Sequence, residues 1–269
     1  MTVNPTVSII IPTWNTADIT LKCIETITKY LPQDYYEIII VDNASTDKTQ
    51  QIFSKIQNIK YIRNSTNLGF SQANNIGVKK AIGKYLFFLN SDMELIDSSL
   101  VDIVNYFSNN PQTGVIGPQF LNPDLSIQGS ITPPQTVLNA FKEYWLGISN
   151  SYTKFYSNTT SSVHAISGGA IVISKTLFNK IGGWDERYFF YYEDLELCRQ
   201  IHKQNLKVIY FPNCKVIHRH GASGSKITND ANQWRRLIPS AKIYFGSIKY
   251  YLIFLVIKSS QIFHRFFTK

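Results

Sequence analysis

Three short runs of apolar residues, mostly β-branched or aromatic, each stop at a polar cluster, and this pattern decides most of what the chain can fold into. Residues 7–11 (VSIII) are ended by Pro12, with Thr13, Trp14 and Asn15 following; residues 37–41 (EIIIV) run into Asp42 and Asn43; residues 84–89 (KYLFFL) stop at Asn90, Ser91 and Asp92. A run apolar at nearly every position is buried on both faces, as strands of a parallel sheet are. Helical segments separate the runs. Asn15 or Thr16 can cap a helix whose apolar positions are Ile19, Leu21, Ile24 and Ile27. The cap-rich stretch 42–47 leads into a second helix through about Ile56, residues 60–63 suit a third strand, and 71–81 suit a helix. A helix over 98–107 then precedes a strand around Val115. This rhythm predicts an α/β fold with a doubly wound, mostly parallel sheet. Ligands of such sheets sit beyond the carboxyl ends of the strands, so the three polar clusters should meet along one edge.

Beyond residue 118 the pattern loosens. Residues 119–162 hold Pro123, Pro133, Pro134 and many aromatics without a clean period, and read either as a variable insertion or simply as an irregular region. Order returns with a strand over 164–174 that contains Gly168 and Gly169, a short helix over 175–181, and the turn Gly182-Gly183. An aromatic loop (YFFYY, 188–192) leads to Glu193 and Asp194, then a helix to about Gln204 and a strand over 207–211. The three cysteines are scattered and odd in number, which excludes a disulfide framework or a zinc knuckle and suits a reducing compartment. The N-terminus lacks the basic and apolar regions of a secretory signal and reads as the cytosolic start of a folded domain.

Each candidate site residue has a plainer reading beside the chemical one. Asp42 can accept hydrogen bonds from a ribose or base at the sheet edge, or merely cap a turn. Asp92 can bind a hard divalent cation, which typically takes one or two protein carboxylates and completes its shell with water and phosphate, or be a turn aspartate. Glu193 and Asp194, walled by aromatic residues, suit proton transfer, or else stabilise a helix N-terminus. His218 and His220 lie just past a strand in the run VIHRHG, and an imidazole there can join Asp92 as a metal ligand or be structural.

Taken in order, the blocks VSIIIPTWN, EIIIVDNASTDKT, NLGFSQANNIG, KYLFFLNSDMEL, SGGAIVIS, GGWDERYFFYYEDLELCRQ and VIHRHGASG resemble the inverting family-two glycosyltransferases of the GT-A fold, especially their rhamnosyltransferase-like branch. The resemblance runs from about residue 7 to 224. It implies that Pro12, Thr13 and Asn15 hold the nucleoside with Asp42, and that Asn67, Gly69 and Asn74 lie near the nucleotide-sugar. Asn90-Ser91-Asp92 stands where the family has Asp-X-Asp, with Asn90 replacing the first aspartate, so Asp92 is the firmer ligand of Mg²⁺ or Mn²⁺ and His218 its companion. Asp194 matches the catalytic base with Glu193 beside it, and Trp184 and Asp185 match the acceptor side. The reaction implied moves a sugar from a nucleotide diphosphate donor, first dTDP-rhamnose and then UDP-sugars, to a hydroxyl of a glycan or lipid-linked acceptor in surface polysaccharide or glycolipid synthesis. On this reading residues 1–230 are the GT-A domain, with 1–118 the nucleotide-sugar half and 119–230 the acceptor half.

Residues 231–269 form a separate, basic and apolar tail. No Asp or Glu follows Asp230, whereas seven Lys and Arg do, so the net charge of +9 comes mostly from the tail. A neutral main body argues against nucleic acid as a partner. The unbroken apolar run 250–257, flanked by Lys249 and Lys258, is too short to span a bilayer, for which roughly 20 residues are needed. It suits either a core-packing helix or a helix lying on an anionic membrane surface, which would make the protein cytoplasmic and peripheral on the inner face. Among other functions, a nicotinamide dehydrogenase is excluded by the absence of GxGxxG after the first strand. A sugar-1-phosphate nucleotidyltransferase would need a Gly-rich basic loop where Pro12 to Asn15 stand. A carbohydrate-binding or scaffolding protein that kept the fold without turnover is the non-enzymatic alternative.

Overall fold

The computed structural model describes residues 4–219 and 230–267. Its first part is built from β1 (Val7–Thr13), α1 (Ala17–Tyr30), β2 (Tyr36–Asp42), α2 (Thr49–Phe53), β3 (Ile59–Arg63), α3 (Gly69–Val78), β4 (Tyr85–Leu89), β5 (Met93–Leu95), α4 (Leu100–Asn109) and β6 (Thr113–Leu121). There follow β7 (Ile127–Gln128), β8 (Ile131–Thr132), α5 (Val137–Tyr144), β9 (Ser161–Val163), β10 (Ala165–Ile166) and β11 (Ala170–Ser174). The chain ends with α6 (Lys175–Lys180), α7 (Glu193–Lys203), β12 (Lys207–His218), α8 (Asp230–Phe245) and α9 (Ser247–Phe267).

The main sheet has the strand order β3-β2-β1-β4-β11-β6-β12-β5. Strands β3, β2, β1 and β4 are mutually parallel, as the apolar runs require, and β6 and β12 are parallel to each other. Strand β11 lies antiparallel between β4 and β6 and joins the two parallel sets. Side chains that alternate along a strand feed two cores. Ile9, Ile11, Phe87 and Leu89 pack on the face covered by α1, α2 and α4, while Ile10, Leu86 and Phe88 pack on the face covered by α3 and α7.

Several boundaries differ from the sequence reading. Pro12 does not end β1: the strand leaves β4 after Ile10 but continues beside β2 to Thr13, so the missing proline N–H breaks no ladder toward β4. The second helix is a single turn that stops at Phe53, and the strand beginning at Lys207 runs on to His218 with a bulge between Phe211 and Lys215. The expected strand over 164–174 is two strands separated by Ser167, Gly168 and Gly169. The stretch read as irregular contains the end of β6, β7, β8, α5 and β9, so residue 118 falls inside β6. Thr16 occupies the cap position of α1 without a side-chain cap bond, and Asp47 from the next loop accepts the Ala17 N–H at 3.0 Å instead. His220 and residues 221–224 lie outside the described residues.

Candidate active site

The carboxyl ends of β1, β2 and β4 do converge, and the side chains there are largely engaged with one another. Asp42 is fully buried: Oδ1 accepts the Ser45 N–H at 2.8 Å, and Oδ2 accepts from Tyr61 Oη at 2.5 Å and Arg63 Nη1 at 2.8 Å. Desolvation and then the hydrogen bond to Asp42 push the Tyr61 phenol well above its usual range. Tyr61 and Arg63 were not singled out from the sequence. They are reached because β3 pairs with β2 in a register that sets Arg63 opposite Asp42. Asn15, with a positive φ of 55°, clasps the following loop: its N–H donates to Ser45 Oγ at 2.9 Å and its Oδ1 accepts the Thr46 N–H at 2.7 Å. The Thr13 hydroxyl is turned inward to Thr16 and Thr20, at 2.8 and 2.9 Å.

Asn67, Gly69 and Asn74 occupy the start of α3. Asn67 Oδ1 accepts the Gly69 N–H at 3.0 Å. Gly69 has a φ of 81°, and a Cβ there would sit 2.4 Å from the Phe189 carbonyl oxygen, so this glycine is what lets α3 touch the aromatic loop. Asn74 is fully buried, with Nδ2 donating to the Phe70 carbonyl at 3.0 Å and Oδ1 without a hydrogen-bond partner.

After β4 the chain turns through Asn90, Ser91 and Asp92 into β5, a three-residue strand that the sequence does not announce. Ser91 is buried with its hydroxyl 3.2 Å from Thr16. Strand β5 pairs antiparallel with the end of β12, which sets His218 opposite Met93 and brings His218 Nε2 to 3.8 Å from Asp92 Oδ1. Asp92 Oδ1 is buried and has no hydrogen-bond partner. The other ring nitrogen, Nδ1, lies 2.6 Å from Gln128 Oε1 on β7, and Gln128 Nε2 donates to Asn122 Oδ1 at 3.2 Å. Because the amide is oriented by Asn122, its oxygen selects the Nδ1–H tautomer and leaves the Nε2 lone pair toward Asp92. A buried unpartnered carboxylate oxygen facing an imidazole lone pair fits a divalent cation. No group of three or more metal-ligating side chains occurs among the described residues. Glu94, also on β5, pairs with Arg219 and with Lys22 at 3.4 Å, tying β5 to β12 and α1.

The opposite wall is the first turn of α7. Tyr191 and Tyr192 both have positive φ, 71° and 67°, which swings the chain so that Glu193 and Asp194 open the helix. Asp194 is half-buried, with Oδ2 accepting the Gly168 N–H at 3.0 Å and Oδ1 the Leu195 N–H at 2.8 Å. Glu193 is buried with Oε2 unpartnered; desolvation and then the Asp194 charge raise its pKa well above the usual carboxylate range. The Lys154 ammonium, 3.0 Å from Ser167 Oγ, works against that rise. Both walls meet at the glycine pair. A Cβ on Gly168 would lie 3.0 Å from Asp194 Cβ, and one on Gly169 would lie 2.5 Å from Met93 Cε and 3.4 Å from Asn90 Nδ2. The Asn90 N–H donates to the Gly169 carbonyl at 2.8 Å, which closes the seam.

Trp184 is not at a surface. Its ring is 1% exposed and packs edge-on against Phe70 and Phe88, with centroids 5.3 and 5.1 Å away. Asp185 is held by Arg187, whose hydrogen bond keeps the Asp185 carboxyl below its usual range. Asp185 and Trp184 both line a polar cavity of about 400 Å³, with Asn75, Glu186, Glu196 and Gln200; none of the metal or base candidates lines it.

Residues 8–182 match the profile described as Glycosyl transferase family 2. The chain belongs to glycosyl transferase family 2. Residues 150–220 also match the profile described as N-terminal domain of galactosyltransferase. Over 206 residues this family-2 chain is 25% identical to the N-acetylglucosaminyl-diphospho-decaprenol L-rhamnosyltransferase of Mycobacterium tuberculosis, covering 69% of the chain and 67% of that protein. It is 25% identical to the O-antigen biosynthesis protein RfbC of Myxococcus xanthus over 81% of its own length, but spans only 18% of RfbC. The mannosyltransferase PcManGT of Pyrobaculum calidifontis, solved with GDP-Man and Mn²⁺, superposes with a TM-score of 0.62 at 16% identity, covering 97% of the chain and 70% of PcManGT. The fold of this family-2 chain is therefore GT-A.

Proposed function

We propose that this family-2 chain is a metal-dependent inverting glycosyltransferase that builds a surface polysaccharide or glycolipid. Its donor is a nucleotide diphosphate sugar, dTDP-rhamnose first and UDP-sugars next, and its acceptor is a hydroxyl of a glycan or lipid-linked sugar. The rhamnosyltransferase named among the relatives supports that order of donors. The observation that carries the reading is the glycine pair: Gly169 packs against Asn90 of the metal-side cluster, while Gly168 holds Asp194.

In this mechanism the Asp194 carboxylate takes the proton of the acceptor hydroxyl as the hydroxyl oxygen bonds to the anomeric carbon. The bond from that carbon to the diphosphate oxygen breaks on the opposite side, and its electron pair leaves with the nucleoside diphosphate. Attack from the rear inverts the centre. Glu193, kept neutral by burial, adds no second charge beside the base. The Gly168 N–H and the helix start fix the Asp194 carboxylate in place. Asp92 and His218 would hold Mg²⁺ or Mn²⁺, which when bound offsets negative charge on the leaving diphosphate. The nucleoside would lie along Pro12, Asn15 and Asp42, with Asn67, Gly69, Asn74, Asn90 and Ser91 around the sugar and diphosphate. Asp185 and its cavity serve the acceptor side. An acceptor carried on lipid fits the basic, apolar C-terminal helices, which would keep the enzyme on the inner face of a membrane.

Asp194→Asn tests the assignment in a purified assay with donor, acceptor and Mg²⁺ or Mn²⁺. Transfer should fall by at least about 100-fold while nucleotide affinity stays within about twofold, since general-base contributions run to 10²–10⁴. Equal transfer rates for variant and wild type would remove Asp194 from the role.

A further inference from the structure

Helix α9 is apolar on two neighbouring faces centred about 100° apart, and only one of them is covered. Ile253 and Ser260 face inward to α5, where the Trp145 indole N–H donates to the Val256 carbonyl at 3.1 Å and Trp145 lies 5.5 Å from Phe263. On the other face Ile248, Leu252, Leu255, Ile262 and Phe266 recur at helical spacing, with exposures from 48% at Leu252 to 81% at Ile248. At about 100° per residue these five fall within one stripe. Lys258 and Arg265 lie roughly 80–100° to one side of it and Lys249 about 100° to the other. The apolar surface continues onto α5 through Phe141, stacked 6.2 Å from Trp145, and Leu138; both are exposed.

We infer that α9 and α5 together form a flat surface that docks in the interface of an anionic bilayer. This deepens the membrane-facing part of the proposed function and rests on it only for the biological setting. Three observations choose the occupant. Residues 231–269 contain no acid, so every charge that α9 brings to the rim is a cation able to reach lipid phosphate beside the apolar stripe. No single helix among the described residues is long and apolar enough to cross a membrane; residues 237–245 of α8 and 247–266 of α9 reach that length and apolarity only as a pair, and the 119° bend between them keeps them from forming one straight span, which suits a helix lying in the interface plane. A second copy of the chain is disfavoured, because a two-fold contact would set the same cationic rims against each other.

The surface is also tied to the chemistry. Helix α8 carries α9, and it packs on the aromatic loop: Tyr244 and Phe245 lie 5.6 and 5.4 Å from Tyr192, and Ser240 Oγ donates to the Phe190 carbonyl at 2.8 Å. The docking face is thus anchored to the residues that open α7 at Glu193 and Asp194.

The test is flotation of the purified protein with phosphatidylcholine vesicles, with and without phosphatidylglycerol. Binding should be at least about tenfold tighter with phosphatidylglycerol. The double variant Leu252→Glu, Leu255→Glu should lose at least about tenfold on those vesicles. Replacing Lys249, Lys258 and Arg265 by Gln should remove the lipid preference, Phe141→Glu should weaken binding, and Ile82→Glu, at an exposed site far along the chain on the α3–β4 loop, should change nothing. A fluorophore on Leu255→Cys should shift to the blue with phosphatidylglycerol vesicles. Absence of vesicle binding, binding indifferent to phosphatidylglycerol, an unshifted label, or a wild-type dimer dissolved by the double variant would each overturn the docking proposal. Nucleoside diphosphate binding measured on the same samples separates the two readings: vesicle binding without nucleotide binding removes the transfer reading, and the reverse removes the docking surface.

Discussion

Glu193 and Asp194 are adjacent carboxylates in different surroundings, and the separate roles proposed for them rest on that difference. Glu193 is buried without a partner for Oε2, so its native pKa is raised above that of the unfolded chain. A raised native value means the folded state binds the proton more tightly. The stability this contributes is whole below the unfolded value and is lost as pH rises through the native one. Glu193→Gln should therefore lose less thermal stability than wild type between about pH 5 and pH 9, read as Tm at each pH; parallel curves would contradict the assignment. On the metal side, Gln128→Leu should leave the fold intact and lower Mn²⁺ affinity by about 10- to 100-fold in a calorimetric titration, because the His218 tautomer is no longer selected. Asp42, Asp92, Asp194 and His218 could be named from sequence because each ends a strand or opens a helix. Tyr61, Arg63, Gln128 and Lys154 could not. Their roles depend on strand register or on a loop crossing from elsewhere, and neither leaves a local periodic trace.

At the scale of elements, the break between β10 and β11 does more than end a strand. A Cβ at residue 168 would meet Asp194 Cβ at 3.0 Å, tighter than ordinary van der Waals contact. Gly168→Ala should displace the base by a few tenths of an ångström and lower kcat by about tenfold or more, with the donor KM nearly unchanged. A kcat within twofold of wild type would show that the carboxylate has slack. The apolar runs made β1, β2 and β4 readable, since burial on both faces needs an unbroken apolar string. Strand β5 was hidden because three residues carry no period, and its existence depends on β12 extending past Phe211 to His218. The Gly168-Gly169 pair was visible but was read as lying within a strand, since what the glycines accommodate comes from α7 and β5. Trp184 could be placed beside Asp185 by position, but its enclosure by Phe70, Phe88 and Phe178 depends on contacts from other elements that leave no local trace.

For the whole molecule, binding and stability are linked. Nucleoside diphosphate together with Mn²⁺ at about 100 times its Kd should raise Tm by about 5–10 °C for a domain of this size. In Asp92→Ala the metal-dependent part of that rise should vanish in a thermal shift assay; a full rise in the variant would move the cation elsewhere. The sheet order carries a further consequence, for how the chain is made. Strand β4, five residues all buried in the finished fold, finds one neighbour in β1 as soon as it is synthesised. Its other edge waits for Ala170–Ser174 of β11, which the ribosome delivers only after the whole of α4, β6 and α5. An apolar strand with an open edge pairs readily with another chain. The growing polypeptide is therefore exposed to aggregation between the emergence of Leu89 and that of Ala170, and the strand that ends that exposure begins directly after the Gly168-Gly169 pair.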